Sequence, residues 1–167
     1  MDPRQLCRYN MFIRPAYVDA VLSLGWDEAS KDRGASFGSL KNILLHIWDV
    51  ELWHLHYVAE GRAAEAPDWD YDTFTTIESF TEARTMVEAK TQAFLDRLTD
   101  ADLERQITYE RPDDTPIDYS LGQVLVHVAT EEVHHRGELI ALLWQIDREP
   151  PPMTFMRYIR HTRGLPK

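Results

Sequence analysis

Between Ser120 and Ile146 apolar residues recur at helical spacing on either side of a polar interval between Val128 and Leu139, a pattern that suits a long helix. Leu121, Val124, Leu125, Val128, Leu139, Leu142, Leu143 and Ile146 share one stripe, and a helix with one apolar stripe must bury it against other elements. Three further stretches read the same way: Pro3 to Leu24, Ser39 to Glu60 and Ile77 to Leu98. Ser39 is placed to cap the second segment and Gly61 to end it, while Pro15 is expected to kink the first. Glu149 and the three prolines after it close the fourth. Four helices of about 20 residues with moderate loops predict an all-α four-helix bundle. The runs ITYE and IDYS on either side of RPDDTP predict a short hairpin before the last long helix, and a final turn is expected over Met153 to Ile159.

A length of 167 residues suits one domain spanning 1–167. The single cysteine, Cys7, excludes an internal disulfide framework and any zinc site built on paired thiolates. It also has no neighbouring histidine to activate it as a nucleophile. With 28 acidic against 18 basic side chains the net charge is −10, which opposes binding to a nucleic-acid backbone. The basic tail, with Arg157, Arg160, Arg163 and Lys167, reads as a solvated terminus. No stretch approaches the ~20 apolar residues of a membrane span, and MDPRQLCRYN has no secretory-signal pattern, so a cytoplasmic location is the expectation.

Chemistry enters where ionisable groups share a buried stripe. On a helical wheel His135 falls inside the stripe of the fourth segment, Glu131 lies at its edge one turn earlier, and Glu132 falls within its arc. His127 lies at the other margin and His134 points to the side. On the second segment His46 lies with Ile43, Val50, Trp53 and Tyr57. Burying an ionised carboxylate costs several kcal/mol unless something pairs with it, and a divalent cation is one such partner. Residues i and i+4 stand about 5–6 Å apart at Cβ, so Glu131 and His135 can grip one ion while His46 closes the set from a facing helix. Three protein ligands leave coordination positions open, as in catalytic sites. Two imidazoles and a carboxylate suit zinc, nickel or iron(II).

Around that set several roles stay open. His127 is a candidate outer partner or alternate ligand. Trp48, Trp53 and Tyr57 either wall a pocket or belong to the core. Arg14 and Arg136 either bind a substrate carboxylate or form surface ion pairs. Gly137 is expected to allow close helix approach. A different reading takes Glu51-Leu-Trp-His54 and Glu131-Glu-Val-His134 as the paired Glu-x-x-His motifs of a di-iron carboxylate bundle, although the first segment offers no glutamate.

Two motifs carry a resemblance. Ser36-Phe37-Gly38-Ser39-Leu40 followed by Leu45-His46 and then Trp53 resembles the second helix of DinB/YfiT-like proteins. The run from His127 through Glu131 to His134-His135-Arg136-Gly137-Glu138 resembles that family's fourth-helix signature. The resemblance implies a bundle, often dimeric, that binds one divalent metal through three histidines. His46 and His135 match two of these, and Glu131 stands at the third position. It further implies a metal-dependent enzyme that uses a low-molecular-weight thiol such as bacillithiol, mycothiol or glutathione. The expected function is activation of a thiol or water for S-transfer, isomerisation or hydrolysis of a small electrophile, in a homodimer. The alternative is a non-enzymatic dimeric module for metal binding or stress response.

Overall fold

Helix starts are written locally in this chain, and most of the architecture follows from them. In the computed structural model, which describes residues 2–109, 117–152 and 154–165, Asp2 caps α1 (Pro3–Leu22) by accepting from the Arg4 amide, with Pro3 in the first turn. The helix runs on past Pro15. Ser39 caps α3 (Leu40–Trp53) through the Asn42 amide. Reciprocal capping pairs start α4 (Ile77–Arg97), from Thr76 and Ser79, and α6 (Leu121–Gln145), from Ser120 and Gln123. Gly61, at φ 69°, ends the second segment as expected.

Several details depart from the sequence reading. The last part of the second segment is a π-helical turn, His54–Val58, rather than α-helix. The stretch read as one loop before α3 contains a short helix, α2 (Trp26–Ser30), and another, α5 (Asp100–Leu103), follows α4. The hairpin is present: β1 (Gln106–Tyr109) pairs antiparallel with β2 (Ile117–Ser120), with Ile107 opposite Tyr119. The RPDDTP turn between them lies outside the described residues. The C-terminal helix α7 (Phe155–Thr162) starts later and runs further than the expected turn.

Among the four long helices, α6 packs on α1 and α3, and α3 packs on α4. One core cluster gathers Leu44, Trp48, Phe80 and Leu139, and a second gathers Leu55, Phe94, Leu121 and Leu125. Trp48 is fully buried, so it belongs to the core and walls no pocket. No helix is long and apolar enough among the described residues to cross a membrane.

A buried ionic network ties the four helices together. Arg14 of α1, only 1% exposed, reaches Glu51 of α3 and Glu132 of α6, each at 2.5 Å. Thr91 of α4 donates to Glu51 at 2.6 Å. Arg136 pairs with Glu132 at 3.4 Å and donates to Asn10 at 3.2 Å. Burial opposes the charge on Arg14, but Glu132 and Glu51 more than offset this and hold its pKa well above the ordinary value. Arg14 and Arg136 are therefore neither surface ion pairs nor substrate contacts. The same network answers the di-iron reading: the carboxylate of Glu51 is held by a guanidinium, where that reading needed it on a metal.

Candidate metal centre

Where α3 crosses α6, the sequence places a histidine on one helix and a glutamate and a histidine, one turn apart, on the other. The fold brings all three together: single donor atoms of His46, Glu131 and His135 lie within 4.8 Å of one another. The imidazoles stand edge to face with centroids 4.6 Å apart, and His135 Nε2 is 3.7 Å from Glu131 Oε2. His135 is buried, while His46 and Glu131 are half-buried, so the cluster opens on its Glu131 side.

Each imidazole is fixed from behind. Tyr71 donates its hydroxyl proton to Asp49 at 2.9 Å, which leaves its oxygen to accept from His46 Nδ1 at 3.2 Å. His135 Nδ1 points at Glu138 Oε2, 3.4 Å away. Glu138 in turn accepts from the Ser36 amide at 2.7 Å and the Ser36 hydroxyl at 2.6 Å. Protons on both Nδ1 atoms leave both Nε2 lone pairs for a cation, the arrangement that metal-bound histidines ordinarily have. Phe37 stacks on His46 at 3.8 Å and stands edge-on to His135 at 5.4 Å, which fixes both ring planes.

The electrostatics agree with this assignment. Burial, reinforced by His135, pushes the His46 pKa down to about 4, so the ring is neutral at ordinary pH. Burial works against the Glu138 carboxylate, yet the Ser36 hydroxyl, the Ser36 amide and His135 together hold its pKa below the ordinary value. Two imidazoles, each oriented by a hydrogen bond and a packed ring, together with one carboxylate oxygen fit a divalent cation of the zinc, nickel or iron(II) type.

The residues expected from sequence divide cleanly. His46, Glu131 and His135 meet. His127 does not join them; its ring lies against His54, at a centroid distance of 4.7 Å. Gly137 faces outward with nothing within 4 Å of where a Cβ would sit, so it mediates no helix contact within the chain. Tyr71, which holds His46 in place, had no signal in the sequence; Asp49, which holds Tyr71, had one in lying three residues after His46 on the same helix. Glu138 had one, since it lies three residues after His135 on the same helix.

Residues 1–166 match the DinB family. The chain belongs to the DinB family. Across 149 residues it is 23% identical to the uncharacterized protein YizA of Bacillus subtilis, covering 89% of this chain and 90% of that one. Its fold is similar to the crystal structure of a DinB-like protein, YjoA, also from Bacillus subtilis, with a TM-score of 0.62 and 21% identity over 89% of this chain and 96% of that one. Within the DinB bundle the cluster occupies the crossing of α3 and α6.

Proposed function

We propose that His46, Glu131 and His135 hold one divalent cation and that the protein is a metal-dependent enzyme acting on a small electrophile. The single observation that carries this reading is the paired fixing of the two imidazoles, with Nδ1 of His46 and of His135 each satisfied while single donor atoms of both rings and of Glu131 lie within 4.8 Å of one another. A structural cation site would be closed by four ligands, whereas three protein donors leave room for a reactant. A divalent cation so held supplies Lewis acidity, which lowers the pKa of water or a thiol at neutral pH. The chain's own residues supply the rest. Phe37 shields one face of His46 from water, Glu131 brings the charge that anchors the cation, and Asp49 with Tyr71 and Glu138 with Ser36 keep the rings from turning. S-transfer, isomerisation and hydrolysis all need this same activation, and family resemblance supports a low-molecular-weight thiol as the nucleophile. The test is turnover of electrophilic thiol acceptors by zinc-, nickel- and iron(II)-loaded protein. Stoichiometric metal without turnover of any would favour the non-enzymatic module.

We also propose that the chain pairs with a second copy through α6. The helix's exposed positions, among them Val126, Thr130, Val133, Gly137 and Trp144, include no Asp, Glu, Lys or Arg, although the chain carries a net charge of −10. Their alternating spacing of four and three is that of an antiparallel helix seam. An isologous pairing sets Val133 of one copy against Gly137 of the other, a side chain against a gap. It also brings two strongly acidic chains together on a face without charge.

A further inference from the structure

Behind His46, on the side of Asp49, lies a cavity of about 420 Å³, between α3 with its π turn and the connection that follows them. Its size falls within the range of small-molecule sites. Its lining has a particular chemistry. Trp53 and Trp69 supply indole surface, Asp49 and Asp68 supply two carboxylates, and no lysine or arginine takes part. Among the described residues neither carboxylate is in an ion pair; Asp49 accepts from Tyr71, and Asp68 lies exposed at the rim. Both carboxylates line the same cavity. Two carboxylates beside aromatic walls form a negative compartment suited to a cation. Indole faces attract organic cations in addition to their apolar contact.

We infer that this cavity is a binding site for an organic cation, an amine or quaternary ammonium carried on a compact apolar body. The link to the centre is Tyr71, which donates to the cavity carboxylate Asp49 and accepts from the ligand imidazole His46. A ligand whose charged end meets Asp49 is therefore joined through Tyr71 to the Nδ1 side of His46, the side away from the proposed ion. The inference does not depend on the proposed metal-centre function. It also carries a discrimination: a ligand whose recognised end is a carboxylate would be repelled here.

The experiment compares phenethylammonium, phenethyl alcohol and phenylacetate, which share one apolar body and differ in charge. Binding is read from tryptophan fluorescence and calorimetry on the full chain, both metal-free and zinc-loaded. The cation is expected to bind at least about tenfold more tightly than the alcohol, and the anion not at all. Added salt should weaken the cation, and Asp68→Asn, a rim substitution that disturbs no internal hydrogen bond, should weaken it about tenfold. Asp49→Asn should act in the same direction. His135→Ala, which disables the metal centre, should leave ammonium binding intact, so a failed metal centre and a failed cavity give different results. Equal affinity for the three probes, or unchanged ammonium affinity in both Asp variants, would overturn the inference.

Discussion

Glu131 and Glu132 are neighbours in the chain but face different surroundings: Glu131 lies half-buried beside His135, while Glu132 is buried and bonded to Arg14. Replacing each by glutamine should therefore give different failures. Glu131→Gln should keep the fold and lose metal affinity. Glu132→Gln should cost about 3 kcal/mol or more, because Arg14 would be left with one carboxylate of two in a dry interior. Metal titration and urea unfolding on both variants check this, and the same phenotype in the two would contradict it.

Metal analysis of untagged protein should find about one divalent ion per chain, and His135→Ala should abolish it. His46→Ala should do the same, since it removes the one donor from α3. Chelation should lower the melting temperature of the parent, as binding only to the folded state requires, and leave that of His135→Ala unchanged.

Tyr71→Phe tests the hydrogen bond behind His46. The substitution removes the oxygen that accepts from Nδ1 and frees the ring to turn or change tautomer. Metal affinity should fall about tenfold, within the range usual for outer partners of metal-bound histidines, with little loss of fold. Competition with a coloured chelator would measure it.

Stability of the metal-free protein should depend on pH in a set direction. Burial, assisted by His135 at His46 and by Lys90 at His56, lowers both folded-state pKa values to about 4 from 6.5. Between those values the unfolded chain binds protons that the folded chain refuses, so stability rises with pH. The contribution is present in full above about 6.5 and is lost as pH falls toward 4. Urea midpoints that stay flat across this interval would show that the two rings are not held neutral.

Pairing through α6 predicts that Val133→Glu yields a monomer by light scattering, because it buries a carboxylate against Gly137 of the second copy in a seam that offers it no cation. Gly137→Ala tests the gap. Nothing in the folded chain meets its added methyl, so any loss of association reflects the second copy.

Most of the fold was legible because its determinants are local. Ser39, Gly61 and Ser120 mark helix ends by their own chemistry, and a stripe at helical spacing needs only its own segment to be recognised. The grouping of Glu131 with His135 was legible for the same reason, since the interval between them is one helical turn. The π turn at His54–Val58 was not, because its apolar spacing over five residues does not differ from that of an α-helix. Arg14 was misread because its partners, Glu51 and Glu132, lie 37 and 118 residues away in the chain. Tyr71 escaped notice in a short 3-10 turn, Tyr71–Thr73, inside an aperiodic connection.

The guanidinium lodged in the middle of the bundle bears on how such a protein can change over evolutionary time. With Glu51 and Glu132 already neutralised by Arg14 and Arg136, the electrostatic balance of the interior does not depend on what the neighbouring centre carries. Residue 131 can thus change its side chain without leaving a buried charge of the scaffold unpaired.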